Sequence, residues 1–341
     1  MPGGTHGTIG SGLTGGCLRQ DRGVSINRRP TRRALAIAVL VVGLVVGSFG
    51  TVLARGPVAS GRGVIGSCPI LPSSNVWNRR VDTLPVRPDS ATLMNRMGLT
   101  KYLHPDFGTF AGYGIPVNAV TRATPRSTVT FQWPSESDAG PYPIPASPKI
   151  EGAGAVGDRH ILMLDTAACR LWELFAAEKT ASGRRAGSGA IFDLRSNALR
   201  PDGWTSADAA GLPIYPGLAR YEEVAAGVIA HALRFTVPET RAAHIHPARH
   251  HASSLTGTSY PPMGLRLRLK AGVNISGFGP QSRVILLALK RYGMILADNG
   301  SAYYVSGAPH PSWDDDDLHD LHAITGSMFE VVDTTGFVNG P

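Results

Sequence analysis

Leucine and cation alternate through Leu265-Arg266-Leu267-Arg268-Leu269-Lys270. Residues two apart on a strand share a face. The segment therefore predicts a half-buried antiparallel strand, with the leucines inward and the cations toward water. Short alternating or apolar stretches predict further strands at 115–121, 128–133, 159–165, 170–176, 190–194, 232–237, 294–297, 302–306 and 329–332.

Helical spacing is scarcer. It predicts helices at 89–97, 218–225, 282–292 and 314–322. The first stops at Gly98. The third follows Gly279-Pro280 and ends at Gly293, with Val284, Leu287 and Tyr292 near one face and Arg283, Lys290 and Arg291 in water. The fourth opens on the aspartates 314–317, which suit the positive end of a helix. Calcium is the other reading of that run, and capping is preferred.

Proline and glycine recur, as in Gly140-Pro141-Tyr142-Pro143-Ile144-Pro145, and make ordered loops rather than long elements. The fold predicted is mainly β with a few peripheral helices, a single large β-sandwich or jelly-roll-like domain. Strands and helices do not alternate regularly, which argues against a doubly wound parallel sheet.

The N-terminus follows a different pattern. Arg28-Arg29 and Arg32-Arg33 precede an uncharged apolar run at 34–54. About 20 apolar residues can span roughly 30 Å of hydrocarbon. The run is either a membrane anchor or the core of a signal peptide cut after Ala54. Both place the arginines inside and the rest of the chain outside. The organisation expected is a disordered basic leader (1–33), the apolar segment (34–54), a flexible linker (55–67), an exported β-rich domain (68–333) and a short tail (334–341).

This segment changes how the charge is read. The chain carries +8, but six arginines and one aspartate lie in residues 1–54, and the remainder is only +3. With no basic stripe interleaved with aromatics, a nucleic-acid partner is not expected. Export also turns the two cysteines beyond the leader, Cys68 and Cys169, into an expected disulfide.

No G-x-S-x-G elbow, P-loop, H-E-x-x-H or C-x-x-C occurs. No cofactor is assigned. Three polar constellations remain. Residues 188–211 gather Asp193, Arg195, Asn197, Arg200, Asp202, Trp204 and Asp208, a mixture suited to sugars because Trp stacks on a pyranose and polar groups bond its hydroxyls. Paired carboxylates are also the minimum for glycoside hydrolysis. His231 and Arg234 lie on or leading into a strand, with Glu222 and Glu223 upstream, of which one must face out. His244, His246 and His250 form a tract that could hold a metal, although no metal ligand is assigned.

Weaker spots read structurally. His160 and Asp165 flank a strand as end caps. His104-Pro105-Asp106 reads as a turn, and Asp298-Asn299-Gly300-Ser301 as a hairpin turn.

The functional expectation is an exported or membrane-anchored protein acting on extracellular or cell-wall glycan, a hydrolase or lyase. Asp193, Asp208, His231 and His250 are the catalytic candidates. Arg195, Trp204, Arg234 and Arg249 are the substrate-binding ones. A non-catalytic glycan-binding module is the first alternative, and a His-ligated metal protein the second.

Overall fold

A computed structural model describes residues 64–65 and 68–338, apart from 155, 156 and 182. These belong to one compact unit spanning 55–341. The leader and the apolar run at 34–54 lie outside the described residues. Among the described residues no helix is long and apolar enough to cross a membrane.

The strands are β1 (Val64–Ile65), β2 (Cys68–Pro69), β3 (His104–Asp106), β4 (Val117–Ala119), β5 (Thr130–Phe131), β6 (Ile161–Asp165), β7 (Arg170–Phe175), β8 (Glu178–Thr180), β9 (Gly183–Ala186), β10 (Ser188–Asp193), β11 (Leu233–Val237), β12 (Arg266–Leu269), β13 (Met294–Asn299), β14 (Tyr304–Ser306) and β15 (Phe329–Val331). The α-helices are α1 (Ser90–Met97), α2 (Tyr221–Ala225), α3 (Pro280–Arg291) and α4 (Asp315–His319). Besides the β1–β2 ribbon there are three sheets, ordered β15-β12-β13-β11-β14-β3, β10-β7-β6-β4 and β5-β9-β8. Each is mixed: β11 runs parallel to β13, β14 to β3, β4 to β6 and β5 to β9. The expectation of a mainly β chain with few helices holds, and no sheet closes into a barrel.

Alternation explains how the four-stranded sheet is buried on both sides. Leu162, Leu164 and Leu171 join the large core that contains β11, β12, β13 and α3. Their neighbours Ile161, Met163, Trp172 and Leu174 join a second cluster with Val129, Tyr142 and Ala186. Each buried Leu or Ile contributes roughly 1.5–3 kcal/mol. Helix α3 buries Ile285, Leu286, Ala288 and Leu289, whereas Val284, Leu287 and Tyr292, expected on its inner face, are only half-buried. It stops where Gly293 takes a left-handed φ of 66°, and only glycine fits there because a Cβ would run into the Leu267 carbonyl.

Three expectations are corrected. The cations of β12 do not face water. Arg266 is 2% exposed and donates to the carbonyls of Val76, Arg79 and Tyr292. Arg268 reaches Glu330 and the carbonyls of Val81 and Leu84. The long stems are covered by the segment 76–84, whose carbonyls accept from them. Residues 104–106 are not a turn but an edge strand, because β14 supplies a parallel partner some 200 residues later. Asp298-Asn299-Gly300-Ser301 does not close a hairpin, since β11 lies between β13 and β14.

Other details stand as read. Asp314 caps α4 through the Asp317 N–H, and Asp165 caps a turn through the N–H groups of Ala167 and Ala168. Cys68 and Cys169 form a disulfide, with Cα atoms 5.3 Å apart.

Candidate functional site

The interior holds a charged cluster that few cores tolerate, and its backbone explains how it arises. Arg234 sits in the middle of β11, at a buried position. On β13 the parallel register slips by one residue: Phe235 pairs with Leu296, but Thr236 pairs with Asp298. That bulge at Ala297 flips the alternation and turns Asp298 to the face that carries Arg234. Asp208 arrives from the 202–212 loop, which the Ser206 hydroxyl ties down by accepting from the Asp208 N–H at 2.9 Å and donating to the Leu212 carbonyl at 2.6 Å.

The Arg234 guanidinium is fully engaged. Nε donates to Asp208 Oδ2 and Nη2 to Asp208 Oδ1, both at 3.0 Å. Nη1 donates to the Ser306 hydroxyl, and Nη2 also lies 3.5 Å from Asp298 Oδ2. Burial works against its charge, but Asp208 outweighs that and raises its pKa. Asp298 experiences the opposite balance. Burial, and then the Asp208 charge, push its carboxyl well above the usual carboxylate range, with Arg234 opposing.

Two further groups complete the cluster. Glu173 stands between Trp172 and Leu174 on β7, is 0% exposed, and accepts the N–H groups of Ile214 at 3.0 Å and Tyr215 at 2.9 Å. Burial raises it to about 7, although those bonds pull the other way. His160 is buried with Nδ1 2.5 Å from Glu151 Oε2 and Nε2 2.9 Å from the Ala207 carbonyl. Burial disfavours its charge, but Glu151 prevails and raises it to about 9.

Above the cluster opens a cleft of about 610 Å³, lined by Trp133, Glu136, Asp158, Asp208, His250 and Asp298 among others. Asp208 has no exposed side-chain surface, whereas Asp298 keeps 19%. His250 donates Nδ1–H to the Ala209 carbonyl at 2.8 Å, which leaves Nε2 as its free nitrogen, 3.8 Å from Glu136 Oε2. Trp133 is 40% exposed and stacks near Phe175, ring centroids 6.3 Å apart, so one wall is an aromatic platform. Among the described residues the Asp158 carboxylate has no hydrogen-bonding partner.

The structure brings two catalytic candidates of the sequence into this cleft, Asp208 and His250, and places the other two elsewhere. Asp193 accepts from the Arg195 N–H at 3.0 Å and its Nε at 3.2 Å, and borders a separate cleft of about 220 Å³. His231 is buried against Arg220 and Glu223, with Nε2 3.1 Å from Glu223 Oε2. Glu222 is the one of the pair that faces out.

The substrate-binding candidates disperse as well. Arg234 is the buried anchor just described, and Arg195 only pairs with Asp193. Trp204 lies 5.5 Å from the Arg200 guanidinium, and Arg249 binds Asp202 at 3.2 Å and the Arg200 carbonyl at 3.0 Å.

His244, His246 and His250 do not converge. His244 pairs with Asp202 at 3.0 Å, while His246 borders a small gap beside Arg266. The donor atoms of Glu151, Asp158 and His160 do lie within 4.8 Å of one another. Both ring nitrogens of His160 are already bonded, so this trio is built as an ion pair rather than as an open metal site.

Asp298, Glu173, Glu151, Asp158, Trp133 and Glu136 were not singled out as site residues by sequence. A signal existed for Glu173, an acid between Trp172 and Leu174 in an otherwise apolar strand. No family model, no curated protein and no solved structure matches this chain.

Proposed function

We propose that this is an exported glycan-active enzyme, a glycoside hydrolase whose general acid is Asp298. The observation that supports it most is the place of that side chain, a fifth of it open to a cleft with an exposed tryptophan on its wall while the rest is buried. Burial and Asp208 push its carboxyl well above the usual carboxylate range, toward the protonated form a general acid needs. A protonated carboxyl at neutral pH is what proton delivery to a glycosidic oxygen requires.

On this reading Asp298 gives its proton to the leaving oxygen. The carboxylate it becomes is met by Arg234 Nη2, 3.5 Å away. Asp158, a carboxylate with no partner among the described residues, activates water or attacks the anomeric carbon. Trp133 stacks on a sugar ring, and His250 offers its Nε2 to a hydroxyl. Asp208 and Arg234 position Asp298 and do not touch substrate. The six- and four-stranded sheets, which share the large core, form an irregular sandwich around this cluster. The apolar run at 34–54 and the Cys68–Cys169 disulfide support work outside the cytoplasm.

The test is a broad polysaccharide and cell-wall screen with wild type beside Asp298→Asn and Asp158→Asn. Release of reducing ends by wild type and by neither variant supports the reading. Equal release by Asp298→Asn overturns it. The exposed Trp133 also favours a second reading, a glycan-binding module, for which the same screen gives binding without turnover.

A further inference from the structure

A second cleft, of about 1030 Å³, lies on the other side of the segment 133–141. That segment gives Trp133 and Glu136 to the first cleft and Asp138, Ala139, Gly140 and Pro141 to the second. The second cleft is lined by Arg122, Arg126 and Arg170, with Trp172 between them. All three arginines are exposed, and among the described residues none has a carboxylate within ion-pairing distance. The Arg126 guanidinium sits 4.8 Å over the Trp172 ring, which holds it in place.

The acids of this cleft are already committed. Asp138 accepts from Arg200 Nη1 at 2.6 Å and from the Ile191 N–H at 2.8 Å. Asp165 accepts from the N–H groups of Ala167 and Ala168. The cleft therefore presents three guanidinium groups without a close ion pair against the two carboxylates of Asp138 and Asp165, and Arg170 also lies across the strand pair from Asp193, whose carboxyl it helps to lower. It shares Asp138 and Ile191 with the 220 Å³ cleft, whose walls include Trp77 and Phe192, so the two adjoin. Taken together as a groove, adjoining clefts suit a polymer, and arginines without an ion pair suit carboxylates, which they can grip at two points.

We infer that this groove binds an anionic polysaccharide, with Arg122, Arg126 and Arg170 gripping the carboxylates of successive uronate residues. This deepens the glycan reading and rests on it: the chain acted on at the Asp298 cleft is an acidic one.

The experiment is a binding titration of the protein against polygalacturonate, neutral dextran, heparin and single-stranded DNA, with wild type, Arg122→Ala/Arg126→Ala, Arg170→Ala and Asp298→Asn. Polygalacturonate is expected to bind, more weakly at high salt, while dextran does not. The double variant is expected to lose about tenfold or more in affinity, with an unchanged melting curve. Arg126→Lys recovers only part, because it keeps charge without the fork. Equal binding of dextran, retention of affinity in the arginine variants, or tighter binding of heparin or DNA than of polygalacturonate overturns the inference. Neutral-glycan cleavage that depends on Asp298 without polyuronate binding would overturn the groove alone. Polyuronate binding with Asp298-independent cleavage would overturn the catalytic reading alone.

Discussion

The guanidinium of Arg234 and the carboxylate of Asp208 meet at two points, both 3.0 Å long, with side chains 5% and 0% exposed. Removing one partner leaves a charge stranded in the core. Asp208→Ala or Arg234→Ala is expected to cost about 3–5 kcal/mol. The double change Asp208→Leu/Arg234→Met is expected to cost less than the sum of its parts. Chemical denaturation of the three variants measures this coupling. Loss of activity in Asp208→Ala alone would therefore report on the fold and not on a catalytic carboxylate.

Asp298→Asn behaves differently. The amide keeps the shape and removes the ionisable carboxyl, but its one oxygen can accept from either the Asn299 N–H or Arg234 and not from both. Stability is expected to change by no more than about 1 kcal/mol. Turnover is expected to fall by about 10²–10⁴, the range for a general acid. In wild type, activity should decline on the alkaline side as Asp298 ionises, at a pH well above the usual carboxylate range. A pH–rate profile of wild type checks this, and a profile flat through that region would contradict it.

Glu173 gives the stability curve a definite sign. Its carboxyl ionises near 4.5 when exposed and near 7 in the folded protein. Between those values the folded state holds a proton that the unfolded state has lost. Stability is therefore expected to fall as pH rises through that window. Glu173→Gln removes this slope, and the difference between the two denaturation series from pH 4.5 to pH 7 measures it.

The disulfide closes a loop of 101 residues. In the chain-entropy model such a link stabilises by about 4–5 kcal/mol. Cys68→Ser/Cys169→Ser, or reduction of wild type, is expected to lower the melting temperature by roughly 2–4 °C for each kcal/mol lost, read by calorimetry with and without reductant.

Arg266 satisfies three carbonyls without any acid beside it. Arg266→Met keeps the stem and removes the guanidinium that donates to all three carbonyls. A loss of about 2 kcal/mol or more is expected, visible in denaturation midpoints, whereas the exposed Lys270→Met is expected to be near neutral.

The amino-acid order by itself determined what local physics can determine. Alternating or apolar stretches located β6, β7, β11 and β12, and Gly279-Pro280 with Gly293 bounded α3. Two cysteines beyond an export-type leader pointed to the disulfide. It did not determine which way a long side chain turns. Arg266 reads as a solvent-facing cation because alternation reports a face, and only the packing of 76–84 decides that this face is covered. Asp298 reads as a turn residue because Asn299-Gly300 follows it. Its role depends on a one-residue bulge against β11, a strand about 60 residues earlier. Asp208, Arg234, Ser306 and Glu173 come from four separate stretches of chain. The burial and charge that raise the Asp298 carboxyl exist only where those stretches meet away from water, so tertiary structure alone decided this cluster.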